Sequence, residues 1–207
     1  MPAIADPKIP QRRRFWMTRL FVLALVALFF ISKSGWHEVG SIWLHAATQV
    51  GIVMAAIGAL GRLWCSSYAG GNKNEILLQV GPYSLSRNPL YCFSYIGGLG
   101  IAATTETFAI PLLFTLWFAW YYHKVIRGEE LFLGHRFGQA YVQYQATVPR
   151  FVPRRRGFEE PARWDMSPPA FRASLTEVVW FVVAAVGLHA IHDMRSSLGF
   201  PALFHLY

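Results

Sequence analysis

Two short stretches hold the residue types that can do chemistry. The first is Gly81-Pro82-Tyr83-Ser84-Leu85-Ser86-Arg87-Asn88-Pro89-Leu90-Tyr91, a polar, turn-rich segment that runs straight into the apolar, small-residue segment from Cys92 to Ala103. Gly81-Pro82 and Asn88-Pro89 both punctuate turns, and Pro89 suits the first position of a helix. Arg87 and Asn88 are therefore expected at a helix N-terminus, where free N–H groups and the positive end of the dipole favour an anion or a strong hydrogen-bonding partner. The second stretch carries the adjacent carboxylates Glu129 and Glu130. An arginine and two carboxylates at one interface can hold a ligand bearing both signs of charge. They can equally form a plain Arg87–Glu ion pair, which contributes little when solvated.

Other arrangements are weaker. His189, His192 and Asp193 offer two or three metal ligands, short of a full set, so no metal site is assigned. The chain has no Ser-His-Asp arrangement and no phosphate-binding glycine loop, and its two cysteines, Cys65 and Cys92, read as free thiols.

The elements that must position these groups are membrane helices. Of the 207 residues 54% are hydrophobic and only 14% charged, against about 25% charged in a soluble domain. The formal charge of +8 sits between apolar runs, which argues against nucleic acid as a partner. A single integral membrane domain over residues 1–207 is expected, all-α, a polytopic bundle with spans at about 15–32, 42–63, 89–104, 108–126 and 175–191. The first span, after Arg12-Arg13-Arg14, lacks a small-x-small cleavage site and reads as uncleaved. His45, Thr48 and Gln49 recur at helical spacing on the second span and suggest a packing stripe. Gly51, Gly58 and Gly61 there, and Gly97, Gly98 and Gly100 on the third, suit close helix approach. Arg127 to Gln145, with Phe137, Tyr141 and Tyr144 at helical spacing, reads as one amphipathic helix. Residues 149–169 read as a Pro- and Arg-rich loop, and the apolar tail after residue 193 as interfacial. A cytoplasmic N-terminus leaves only Lys33 and Arg195 of the nineteen basic residues outside. It also puts both chemical stretches on the cytoplasmic face.

The first stretch, then a membrane hairpin, then Glu129-Glu130-Leu131-Phe132-Leu133, Phe137-Gly138, Tyr141, Tyr144, Pro149-Arg150 and Pro153 resembles the isoprenylcysteine carboxyl methyltransferase and phospholipid methyltransferase superfamily. The resemblance covers about residues 77–153. It implies S-adenosylmethionine as cofactor, in a pocket between the hairpin ends and the amphipathic helix, and a lipid-like acceptor entering from the membrane. Arg87, Pro89 and Tyr91 match the family's Arg-His-Pro-x-Tyr element, and Glu129 and Glu130 match its Glu-Glu element. Asn88 stands in place of the usual His and cannot titrate near neutral pH. The resemblance implies Arg87, Asn88 and Glu130 as the catalytic group. It puts Tyr83, Arg87, Pro89, Tyr91, Glu129 and Glu130 around the cofactor, and Arg150 and Trp120 toward the acceptor.

A carboxylate acceptor is ionised at pH 7 and needs no base. An amine acceptor must first lose a proton, for which His123, His135 or either glutamate is at hand. Carboxyl O-methylation of a prenylcysteine-like molecule ranks first and N-methylation of an ethanolamine lipid second. A sterol-reductase-like enzyme and a non-catalytic membrane protein whose basic loops hold anionic lipid stay open as alternatives.

Overall fold

The computed structural model describes residues 8–34, 41–70, 75–198 and 204–206. In chain order these form α1 (Lys8–Ile31), β1 (Ser32–Ser34), α2 (Ser41–Ala69), α3 (Pro82–Leu85), α4 (Pro89–Ala103), α5 (Ala109–Phe137), α6 (Gln139–Thr147), α7 (Pro168–Leu198) and β2 (Phe204–Leu206). The architecture is all-α apart from β1 and β2, which pair in parallel with Ser32 opposite Phe204. Residues 1–7, 35–40, 71–74, 199–203 and 207, and with them part of the expected interfacial tail, lie outside the described residues.

Two stretches are long and apolar enough to cross a membrane, Ala46–Ala69 and Pro168–Arg195. Trp16–Ile31 and Pro89–Ala103 are apolar but shorter. Val50, Val53, Ile57 and Leu60 on α2, and Val179, Val182, Val183 and Val186 on α7, are exposed. Such faces suit contact with hydrocarbon, where the intrahelical ladder already satisfies the backbone.

The packing centre is α2 against α4, with α7 lying on both. The glycines make this approach possible. A Cβ on Gly58 would sit 2.3 Å from Cα of Gly97, and one on Gly100 would sit 2.5 Å from the carbonyl oxygen of Gly51. Backbones this close gain dispersion contact that any side chain would forbid. Gly61 and Gly98 instead receive rings, those of Phe93 and Phe114. On α2, Thr48 is buried while Gln49 is exposed, so the polar stripe divides between core and surface. The side chain of His45 lies outside the described residues.

Several helices differ from the bounds expected of them. α1 already begins at Lys8, and α7 runs from Pro168 to Leu198, beyond the expected 175–191 at both ends. α2 continues through Arg62 to Ala69, because nothing before Gly70 breaks it. α5 runs unbroken past the expected span end, through Glu129 and Glu130 to Phe137. The supposed separate amphipathic helix is therefore divided. Its first half is the end of α5 and its second half is α6. The break is Gly138, at φ +53°, a left-handed conformation that favours glycine.

At the hairpin tip between α4 and α5, Thr48 Oγ1 donates to Glu106 Oε1 at 3.1 Å. His192 Nε2 of α7 lies 3.1 Å from Glu106 Oε2. The His192 contact first, and the Thr48 hydrogen bond with it, hold the Glu106 carboxyl below its usual range despite burial. Nearby, Arg195 donates to the carbonyls of Phe29 and Phe30 at 2.6 and 2.8 Å, capping the last turn of α1. His189 Nε2 lies 3.6 Å from Asp193 Oδ2. Both histidines thus face carboxylates, and no group of three or more metal-ligating residues forms among the described residues.

Candidate functional site

At the opposite end from Glu106, the chain folds back on itself. α3 is a single turn, started by Pro82 and closed where the Ser86 N–H donates to the Pro82 carbonyl. Gly81 takes φ +59° there, and a Cβ would meet the Tyr68 ring at 2.5 Å. Pro89 then opens α4 with Asn88 at the N-cap position. The Asn88 side chain does not cap the helix. Its Nδ2 donates to the Arg150 carbonyl at 3.1 Å, so this buried amide ties the helix start to the segment after α6.

That segment, expected as a loose loop, is a strap. Arg87 N–H donates to the Pro149 carbonyl at 2.9 Å and Arg154 N–H to the Leu85 carbonyl at 3.0 Å. Gly81 N–H donates to the Glu159 carbonyl at 2.7 Å. Ser86 Oγ donates to the Arg150 carbonyl and Cys92 Sγ to that of Phe151. Arg154 reaches three further carbonyls, those of Ser84, Thr147 and Gly157, at 2.8, 3.3 and 3.0 Å. Its planar fork joins the ends of α3 and α6 to the strap, a geometry that lysine cannot copy.

The strap and α5 bring the candidate residues together. Glu130 lies between two arginines. Arg150 approaches it as a fork, Nε to Oε1 at 3.1 Å and Nη2 to Oε2 at 2.7 Å. Arg87 Nη1 lies 3.3 Å from Oε1. Beside this group Tyr91 donates its hydroxyl to Glu129 Oε1 at 2.8 Å, and its ring lies 5.2 Å from that of Tyr122. Tyr144 donates to the Tyr83 carbonyl at 2.7 Å. Burial pushes the Tyr83 and Tyr144 hydroxyls above their ordinary range. Tyr141 is raised as well, by burial first and then by the Glu130 charge, with Arg87 opposing.

Arg87, Asn88, Pro89, Tyr91, Glu129, Glu130 and Arg150 thus gather around one spot, with the Tyr83 backbone beneath. Trp120 is not part of it. That ring is exposed, with Lys124 Nζ 4.0 Å over its face, because it projects from the outer side of α5. His123 and His135 are exposed too. Tyr141 carried no site signal in the sequence, yet it is 2% exposed and lies close enough to Glu130 and Arg87 to feel both charges. Its helical spacing with Tyr144 was visible, but not the side it faces. Arg154 was likewise hidden among exposed arginines.

The region from α2 to α6, residues 40–140, matches the family model described as phospholipid methyltransferase. The nickel-cobalt-cadmium resistance protein NccN of Alcaligenes xylosoxydans xylosoxydans is 30% identical over 97% of this chain and 94% of its own length. The chain belongs to the phospholipid methyltransferase family. The cobalt-zinc-cadmium resistance protein CzcN of Cupriavidus metallidurans is 32% identical over 84% of this chain and 80% of its own. The protein-S-isoprenylcysteine O-methyltransferase of Schizosaccharomyces pombe is 34% identical over 40% of this chain and 35% of its own. No solved structure matches significantly.

The donor set fits the family's usual cofactor, S-adenosylmethionine, which carries a carboxylate, an ammonium and a sulfonium. Arg87 and Arg150 supply guanidinium donors, and Arg87 Nε is buried without a hydrogen-bond partner. Glu129 and Glu130 supply carboxylates, and Tyr91 and Tyr122 supply aromatic faces that attract cations.

Proposed function

We propose that this protein transfers a methyl group from S-adenosylmethionine to an amphipathic acceptor lying in the membrane. One observation carries the proposal: two arginines, two carboxylates and a tyrosine from the α3–α4 turn, α4, α5 and the strap meet at the mouth of the α4–α5 hairpin. Family membership supports it.

The cofactor supplies an activated methyl on a sulfonium. The chain's own groups then bind, orient and exclude water. Arg87, Arg150 and Glu130 together carry one net positive charge and suit a carboxylate. Glu129, already oriented by Tyr91, suits a cationic group. Asn88 fixes the helix start to the strap and carries no proton. Such a site serves a carboxylate acceptor without a base, so carboxyl O-methylation of a prenylcysteine-like molecule ranks first. The partial likeness to an isoprenylcysteine O-methyltransferase supports that order. N-methylation of an ethanolamine lipid is the second assignment, with Glu129 as the base. We place the site and the N-terminus on the cytoplasmic side of a five-span bundle, from the charge asymmetry.

Two relatives that match most of the chain are named for metal resistance. We infer that the methylated product contributes to tolerance of such cations, since the histidines of α7 are already engaged, His192 with Glu106 and His189 with Asp193.

Purified protein titrated with S-adenosylmethionine and with NADPH should bind the first saturably and not the second. Labelled methyl groups should then appear in a lipid extract or in a farnesylcysteine analogue. Absence of saturable S-adenosylmethionine binding would defeat the proposal.

A further inference from the structure

Arg62 sits inside a helix that is apolar enough to cross a membrane. An ionisable group there is costly unless paired, and such groups mark ligand sites. Arg62 lies where α2, α4 and α7 meet. Its Nη1 donates to Ser94 Oγ of α4. Its Nη2 donates to Glu177 Oε2 of α7 at 2.8 Å. The guanidinium lies 5.3 Å over the Phe181 ring, and its Nε is buried without a hydrogen-bond partner.

The two members of this pair differ in surroundings. The Arg62 side chain is 18% exposed, whereas that of Glu177 is 63% exposed. Arg62 is thus a fixed, enclosed cation, held by Ser94, whose own hydroxyl donates to the Leu90 carbonyl at 2.6 Å. Glu177 covers it from the exposed side. An ion pair with one largely exposed partner contributes little net stability, so another oxyanion can take the place of that carboxylate. Aromatic groups flank the position: Phe93 packs on Gly61, and Trp64 lies 6.4 Å from Phe93 and 6.1 Å from Phe158. Ser94 is one turn beyond Tyr91 on α4, roughly 5 Å along the helix. Tyr91 in turn touches Glu129.

We propose that Arg62 is the anion-binding subsite for the amphipathic acceptor, taking a phosphate or carboxylate oxygen in exchange for Glu177. The assignment rests on the methyl-transfer function above for what the bound molecule is, but not for whether it binds. It puts the acceptor's oxyanion about one helical turn from Tyr91: the phosphate beside the methylated amine of an ethanolamine lipid, or the methylated carboxylate itself of a prenylcysteine-like molecule.

The test is binding, measured without methyl donor on the purified full chain in detergent. The probes are didecanoyl phosphatidylethanolamine, farnesylcysteine, and didecanoylglycerol as the uncharged control. Arg62→Gln should weaken binding of the charged probes at least fivefold, and Glu177→Gln should tighten it, because the competing carboxylate is gone. Neither should alter the control. Whichever charged probe responds more identifies the oxyanion as phosphate or carboxylate. A purely structural ion pair would make both variants weaken binding together or leave it unchanged, and either result overturns the proposal. Should Arg62→Gln fail to fold, Glu177→Gln with Arg62→Lys decides: unchanged or weaker binding in Glu177→Gln overturns it alone. If binding follows the expected signs but no methyl transfer occurs, the subsite stands and the methyl-transfer function falls.

Discussion

Tyr91 of α4 donates its hydroxyl to Glu129 of α5 at 2.8 Å, closing the mouth of the hairpin with one charge-assisted hydrogen bond. Such bonds contribute about 1.5–3 kcal/mol. Tyr91→Phe keeps the ring against Tyr122 and removes this bond. It should weaken S-adenosylmethionine binding roughly tenfold, since about 1.4 kcal/mol is a factor of ten. Isothermal titration would show it, and unchanged affinity would remove Glu129 from the binding group.

Glu130 balances both Arg87 and Arg150. Glu130→Gln leaves two guanidinium groups facing each other across a partly enclosed space. Both cofactor affinity and thermal stability should fall, the latter by about 1–3 kcal/mol, in the range for leaving a buried polar partner unmet. Glu130→Ala with Arg150→Ala should recover part of that stability and none of the binding. A double-mutant cycle on melting temperature and affinity separates the two effects.

Asn88 carries no titratable group, and its amide donates to a backbone carbonyl. Asn88→Ala should cost about 1 kcal/mol of stability, and turnover should fall with no change in the shape of its pH profile. Asn88→His should add an inflection near pH 6.5. An inflection already present near that pH in the unaltered protein, and lost in Asn88→Ala, would contradict this role.

Glu106 predicts acid sensitivity at the far end of the bundle. Its folded carboxyl is held below the ordinary glutamate range, first by His192 and then by Thr48. Its stabilisation is therefore complete above that range and drains away as pH falls through the lowered folded value. Melting temperatures between about pH 6 and pH 3 should drop less steeply in Glu106→Gln than in the unaltered chain. Equal slopes would show that the His192 and Thr48 contacts contribute nothing.

Gly138 divides α5 from α6 at φ +53°, and a Cβ there meets no atom within 4 Å. The penalty for Gly138→Ala is then conformational alone, about 1–2 kcal/mol. If the chain relieves it by continuing the helix, Tyr141 and Tyr144 rotate away from Arg87 and the Tyr83 carbonyl. Methyl transfer should fall more than stability does, measured as turnover against melting temperature. A loss of stability with full turnover would show that α6 is only a support.

The sequence by itself determined the apolar helices, because hydropathy acts locally and proline and glycine mark helix ends within a residue or two. Pro89 starts α4 where its fixed φ and missing N–H predict. The glycines of α2 and α4 announced close approach, and Gly58 and Gly97 meet. Arg87, Tyr91, Glu129 and Glu130 were legible as chemistry because charged groups are scarce in such a chain. Only the tertiary structure decided their partners. That Glu130 takes two arginines, that Arg154 clamps three segments and that Trp120 turns outward depend on how the strap folds over α3. The strap is held there by bonds between backbone groups far apart in sequence, such as Arg87 N–H to the Pro149 carbonyl, and backbone groups carry no residue-type signal. Arg62 was hidden for a related reason: whether a charge ends a span or lies inside one depends on the helix packed beside it. Here Ser94 and Glu177, from two other helices, supply what an isolated span would lack.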